Sequence, residues 1–332
     1  MLRFVCGCLL LTAFCLSASS QSADRNTFLR NLQWAQDGQP VAQLVVGRDY
    51  LRGVVTRRDH AAARNWFQKA TDAGNTEAAA RLGFMHVSGQ GGARDVEKGM
   101  KLLRDAGAAN DPTAETFLGM ISESDKIFAK DFNEAIRLYK EAIAIGNPRA
   151  MALLGNMYLR GDVAPPSSAA GLKLLEASAG AGDSWGEVGL GDELRSGRAG
   201  QTDKPAALKL YQAAAAQGNR AALYRMGSMY QNGEVVVQDY RMAGHYYQIA
   251  AQQDYAPAES SLAALYDLGL GVGTDKLHAY FWATLASRQG DATGGARALA
   301  LSQQLSAAEM AEAQTHLADF MARNGSPTIS PQ

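Results

Sequence analysis

The side chains that could do chemistry are few and scattered. The five histidines, His60, His86, His245, His278 and His316, are the natural candidates for metal ligands or general bases. No pair has the spacing of a helical metal site, and no His-Glu-x-x-His occurs. All three cysteines (Cys6, Cys8, Cys15) lie near the start of the chain, which leaves the rest without thiol chemistry or a disulfide framework. Gly269-Leu-Gly-Val-Gly has the glycine density of a phosphate loop, but it follows no strand and reads as a turn. No Gly-x-Ser-x-Gly or Ser-x-x-Lys nucleophile motif stands out. Carboxylates such as Glu141 and Asp203 read as solvated faces and helix caps. Formal charge is −1 with no basic stripe, so nucleic acid is not an expected partner. Neither a catalytic residue, nor a metal, nor a cofactor is expected. What remains is the chemistry of a surface.

That surface is carried by a repeat. Asn75, Asp111, Asn147, Asp183 and Asn219 are each 36 residues apart, and Asp291 lies two periods further on; Tyr255 fills the place between. A fixed period of this size marks a repeat array. Seven units run from 40–75 to 256–291. Position 8 of each unit is Gly47, Gly83, Gly119, Gly155, Gly191, Gly227 and then Ala263. Position 14 is glycine in every unit except the third, where it is Asp125. Position 20 is Asp59, Asp95, Asp131, Ser167, Asp203, Asp239 and Asp275.

Each unit reads as two antiparallel helices. The closing Asn or Asp can accept a hydrogen bond from the first amides of the next helix. Pro112 and Pro148 follow it, where a missing N–H costs nothing. Glycine at position 14 suits a left-handed residue just past a helix, and Asp at position 20 caps the second helix. Glycine inside a helix costs about 1 kcal/mol relative to Ala, so position 8 marks a place where a neighbouring helix comes too close for a side chain.

The units resemble the Sel-one-like repeat (SLR), a relative of the tetratricopeptide repeat. Ala222 to Ala251 and Ser261 to Asp291 carry the resemblance best, the second through Tyr266, Gly269, Gly271, Val272, Asp275, Ala279, Tyr280, Phe281, Trp282 and Gly290. The third unit departs from the pattern with Ser-Glu-Ser-Asp-Lys in its loop, and the fourth with Pro165-Pro166. The resemblance implies an all-α fold, a right-handed α/α solenoid of seven 36-residue helix-turn-helix repeats, elongated, with each unit touching its neighbours. It also implies that the first helix of each unit lines a concave groove, with positions 2, 5, 9, 12 and 13 facing it. The candidate partner-binding residues are then Arg48, Arg52, Phe84, Arg149, Arg160, Trp185, Asp192, Arg195 and Tyr224. Aromatics and arginines dominate interface hot spots; the other reading is that each aromatic packs on the adjacent helix.

The ends differ from the repeats. Met1 to Ser20 reads as a signal peptide, with Arg3, an apolar run from Phe4 to Leu16, and cleavage near Ser20. Residues 21–39 read as an N-terminal capping helix and 292–323 as a C-terminal helical cap in which Ser306 and Glu309 form a capping box. Residues 324–332 read as a disordered tail. The expectation is an exported, periplasmic, monomeric, non-enzymatic scaffold that binds a protein or peptide in its groove; the resemblance implies roles such as polysaccharide export assembly or sensor-kinase regulation. An envelope hydrolase or peptidoglycan-binding protein, and a eukaryotic lumenal quality-control adaptor, are the alternatives.

Overall fold

A computed structural model describes residues 25–53, 55–56, 58–125, 127–163, 167–198 and 200–324. The residues read as a signal peptide (1–20) and those past Asn324 read as a disordered tail lie outside the described residues. Those described contain helices and no strand. Helix α1 spans 25–36. The first repeat supplies α2 (Pro40–Arg52) and α3 (His60–Asp72), the second α4 (Thr76–Ser88) and α5 (Val96–Ala108), and the third α6 (Pro112–Glu123) and α7 (Phe132–Ala144). The fourth supplies α8 (Pro148–Arg160) and α9 (Ser168–Gly180), the fifth α10 (Ser184–Ser196) and α11 (Lys204–Ala216), and the sixth α12 (Arg220–Asn232) and α13 (Tyr240–Ala251). The seventh is α14 (Ala256–Leu268) and α15 (Lys276–Arg288), followed by α16 (Ala292–Ser302) and α17 (Ala307–Asn324). The chain is an all-α repeat solenoid.

Position 8 is where each unit's own two helices touch, in two versions. In four units an aromatic ring from the second helix lies on the glycine. A methyl carbon built at Gly47, Gly119, Gly191 or Gly227 would come within 2.5–2.7 Å of the ring of Phe67, Tyr139, Tyr211 or Tyr247. In the second and fourth units the second helix carries Leu103 or Leu175 instead, and glycine faces glycine. A methyl at Gly83 would sit 2.8 Å from the Gly99 carbonyl oxygen, and one at Gly155 would sit 2.9 Å from that of Gly171. The close approach is therefore within a unit.

The closing Asn or Asp does two things. Asn147 Oδ1 accepts from the Arg149 and Ala150 amides, capping α8, while its Nδ2 donates to the Pro112 carbonyl one repeat back. Asp111 caps α6 and accepts from Thr76 Oγ1 at 2.9 Å, and Asn219 caps α12 and donates to Ser184 Oγ at 3.2 Å. These bonds tie the starts of α6, α8 and α12 to the start of the first helix before each, which fixes the register at those junctions. At the sixth-to-seventh junction Tyr255 makes no side-chain cap. There Asp254 takes a left-handed backbone (φ 52°) where five of the other six units have glycine and the remaining one has Asn110.

The expectation of an elongated array with contacts only between neighbours needs correction. The solenoid curls until its first repeat meets the sixth. Arg58 Nη2 in the α2–α3 loop lies 3.2 Å from Asp254 Oδ2, and both side chains are largely buried. Arg58 Nε also donates to His60 Nε2 at 2.7 Å. Arg220 reinforces the receiving side by donating to the carbonyls of Gln253 and Asp254.

Candidate interaction surface

The curl encloses one side of the first helices. Their register is regular: position 9 of one unit faces position 6 of the next. Phe84 stacks on Phe117 at 4.5 Å between ring centroids, Asp192 takes both forks of Arg225 at 2.7 and 2.8 Å, and Asn156 Oδ1 lies against Gly189. Position 5 does not line the surface. Leu44, Ala80, Thr116, Ala152, Val188 and Ser260 are all buried there, as is Val87 at position 12, and Tyr224, in the sixth unit, is half-buried. Positions 2, 6, 9 and 13 are separated by steps of four, three and four, so they form one stripe, while position 5 turns inward between helices. Position 6, with Arg81 and Arg225, is the contribution that sequence reasoning missed, although that spacing would have revealed it.

The candidate residues divide by what already holds them. Asp192 accepts from Tyr211 Oη at 2.6 Å as well as from Arg225. Arg195 grips Glu234 through Nε and Nη2 at 3.1 and 2.7 Å and also reaches Ser228. The strong hydrogen bonds from Arg195 hold the Glu234 carboxyl down at about 2. Arg160 pairs with Glu123 and with Asp162. Tyr224 lies between Tyr247 and Tyr255, each 5.6 Å away, so core packing accounts for its ring. Asp192 and Arg195, with Arg198, Lys204 and Glu234, border an open cleft of about 400 Å³ between the fifth and sixth repeats, whose charges are mutually paired.

Arg48, Arg52, Arg149 and Trp185 are held less tightly. Arg48 lies 3.7 Å from Glu77, which Arg81 already holds at 2.7 Å. Arg52 is exposed at the end of α2. Arg149 and Trp185 both occupy position 2, one repeat apart, and the guanidinium carbon lies 4.3 Å from the centre of the indole. The Trp185 ring also packs against the cluster around Val188 and Ala221, so it is both a core residue and half of a surface pair. Arg149 Nε is shut away from solvent without a hydrogen-bond partner, and its closest carboxylate oxygen, on Asp183, is 3.9 Å away. Burial lowers the Arg149 guanidinium to about 10; Asp183 opposes the shift, while Arg81 and Arg220 add to it. Charges from the second, fourth and sixth repeats thus act on one another, as the curl requires.

No group of three or more His, Cys, Asp or Glu side chains is placed to hold a metal among the described residues. His60 is buried against Arg58, and His86 against Arg64, whose Nη2 lies 2.5 Å from Nδ1.

A profile of the Sel1 repeat matches residues 40–75, 76–111, 112–147, 148–183, 187–219, 220–255 and 256–291. The chain belongs to the Sel1 repeat family. Sel1 repeat proteins are helical-repeat scaffolds for protein interaction. Among solved structures, a Sel1 repeat protein from Oxalobacter formigenes is 28% identical over 84% of this chain and 80% of its own, with a TM-score of 0.53. Two immunity proteins from Pseudomonas aeruginosa are each 20% identical over 66% of this chain and 83% of theirs, with TM-scores of 0.50 and 0.51; at that identity the likeness is one of fold. A search of curated proteins finds no match. No helix among the described residues is long and apolar enough to cross a membrane.

Proposed function

We propose that this Sel1 repeat protein is an exported, non-enzymatic scaffold that binds a protein or peptide partner along the inner face of its curl. The observation that carries the reading is the Arg149–Trp185 pair. It joins two of the residue types enriched in interface hot spots, and its Arg149 Nε has no hydrogen-bond partner among the described residues. Export rests on the leader read in residues 1–20, which places the partner in the cell envelope. Neighbouring residues of the same stripe, Arg48, Arg52 and Phe84, extend the surface toward the first repeats.

The test is capture of partners from envelope extracts with the wild type, Arg149→Ala and Trp185→Ala, identified by mass spectrometry, with melting curves on the same proteins. Both variants are expected to lose the same partner, with Arg149→Ala melting close to the wild type. A destabilised Trp185→Ala beside a fully active Arg149→Ala would mean that the indole serves packing alone, and the inner-face reading would fall.

A further inference from the structure

We propose that Arg149, stacked on Trp185, is a subsite for a single carboxylate group of a peptide partner. The proposal rests on the inner-face reading above and gives that partner its chemistry.

The contrast with other arginines of the solenoid is direct. Arg160 and Arg195 each hold a carboxylate oxygen at 2.7 Å, and Arg225 holds Asp192 in the same way. Arg149 has no such partner. Asp183 is close but committed, because its Oδ2 accepts from the Trp185 and Gly186 amides and from Ser178 Oγ. The remaining oxygen stays 3.9 Å from Arg149 Nη1, beyond hydrogen-bond reach. Water is no substitute at Nε, which is enclosed. A third of the Arg149 side chain nevertheless remains open. A charged group that is partly dehydrated and poorly paired is costly to hold, and an acceptor that reaches the open part of the side chain offsets some of that cost.

Charge and shape select the ligand. On the enclosed side Arg48, Arg58, Arg81, Arg149 and Arg220 outnumber Glu77, Asp183 and Asp254, which favours an anionic ligand. Glu259 is already engaged: burial pushes its carboxyl well above the usual range, and both its oxygens accept from Gln289 Nε2 at 2.9 Å. Stacking on the indole fixes the guanidinium plane and leaves its edge for a two-pronged bond that carboxylates match. The carboxylate can be an Asp or Glu side chain or the end of a chain.

Three probes separate these sources: an alternating Glu-Ala heptapeptide with both ends blocked, an Ala-Gly heptapeptide with a free carboxyl end, and the same Ala-Gly peptide amidated. Each is titrated into the full chain while the Trp185 indole N–H is followed by NMR, assigned through its loss in Trp185→Phe. At least one carboxylate probe is expected to shift that signal saturably, and the amidated neutral peptide to leave it unmoved. Arg149→Gln should abolish the shift. Arg149→Lys, which keeps the charge and the fold, should weaken binding at least about tenfold because the fork is lost. No shift with either carboxylate probe, or one that survives Arg149→Gln, overturns the subsite. So does tighter saturation by inorganic phosphate than by both peptides. If capture of an envelope partner fails in Trp185→Ala while no carboxylate peptide binds, the carboxylate subsite is refuted and the interaction reading stands; peptide binding without any captured partner does the reverse.

Discussion

At the scale of single residues, three glycines carry three different constraints. Gly155 faces the Gly171 carbonyl, and a side chain there would also meet Leu174 and Leu175 at 3.2–3.3 Å. Gly155→Val is therefore expected to cost at least the upper end of the about 1–3 kcal/mol typical of overpacking. Gly161 has a left-handed backbone (φ 82°) in open space, so Gly161→Ala should cost only the about 1–2 kcal/mol of that conformation. Gly91 combines both conditions: φ is 71°, and a methyl would sit 2.2 Å from the His60 carbonyl oxygen. Denaturant melts should rank Gly155→Val and Gly91→Ala well below Gly161→Ala; equal shifts would contradict the packing described. The sequence revealed the close approach at position 8. Which helix makes it was legible only by pairing that column with the aromatic or leucine twenty residues later. Acid behaviour is also a single-residue matter at Glu234. Its folded pKa lies below the ordinary value, so its pairing with Arg195 stabilises the fold fully above about pH 4.5 and is lost as pH falls toward about 2. Glu234→Gln should be less stable than wild type at pH 7, yet lose less between pH 4.5 and 2, as urea melts across that range would record.

At the scale of helices, the two kinds of cap are not equivalent. Asp203 accepts from the Ala206 amide and caps α11 alone. Asn147 caps α8 and also ties it to α6 through the Pro112 carbonyl. Removing a cap costs about 1 kcal/mol, and losing a hydrogen bond to a sheltered carbonyl about 1 more. Asn147→Ala should then destabilise by about 2 kcal/mol and Asp203→Ala by about half that, and a smaller loss at Asn147 would show that the tie between repeats is weak. Helix positions and second-helix caps were readable from the sequence because each depends on residues within one unit. The tie at Asn147 was not, because its acceptor, the Pro112 carbonyl, lies a full period away and is a backbone atom with no sequence mark. The Arg149–Trp185 contact was legible for the opposite reason: the same position in adjacent repeats places two side chains together in any register that stacks the units. Position 5 was misplaced because a groove pattern carried over from related repeats ignores how far each first helix is rotated on its own axis.

At the scale of the whole molecule, the curl could not be read from any one unit, since it sums small rotations between successive repeats. Its trace in the sequence is the double departure at Asp254 and Tyr255, where turn glycine and capping Asn are both given up. Locally this is unfavourable: a non-glycine residue sits in the left-handed region and α14 lacks its side-chain cap. Asp254 instead meets Arg58 of the first repeat, and Tyr255 packs beside Tyr224 and Arg220. His60 takes part through its neutral form, since Nε2 accepts from Arg58. Burial, with Arg58 and Arg220 nearby, lowers its pKa from 6.5 to about 3. A lowered folded pKa means that the unfolded or unclasped form gains the proton first, so this contribution is complete above about pH 6.5 and declines steadily toward pH 3. The ion pair itself is testable by reversal. Removing one partner of a buried pair costs about 3–5 kcal/mol, and because about a seventh of each side chain is exposed here, the loss should lie toward the lower end. Asp254→Arg places like charges together, so small-angle scattering should show a larger radius of gyration at unchanged helicity. Arg58→Asp alone should do the same. Combining the two restores opposite charges across the contact, and the radius should return most of the way to that of the wild type at low ionic strength. The return should depend only weakly on salt, because a largely buried pair is little screened. A double variant as open as the singles would mean that the curl is set by the repeats alone and that the contact between the first and sixth repeats merely records it.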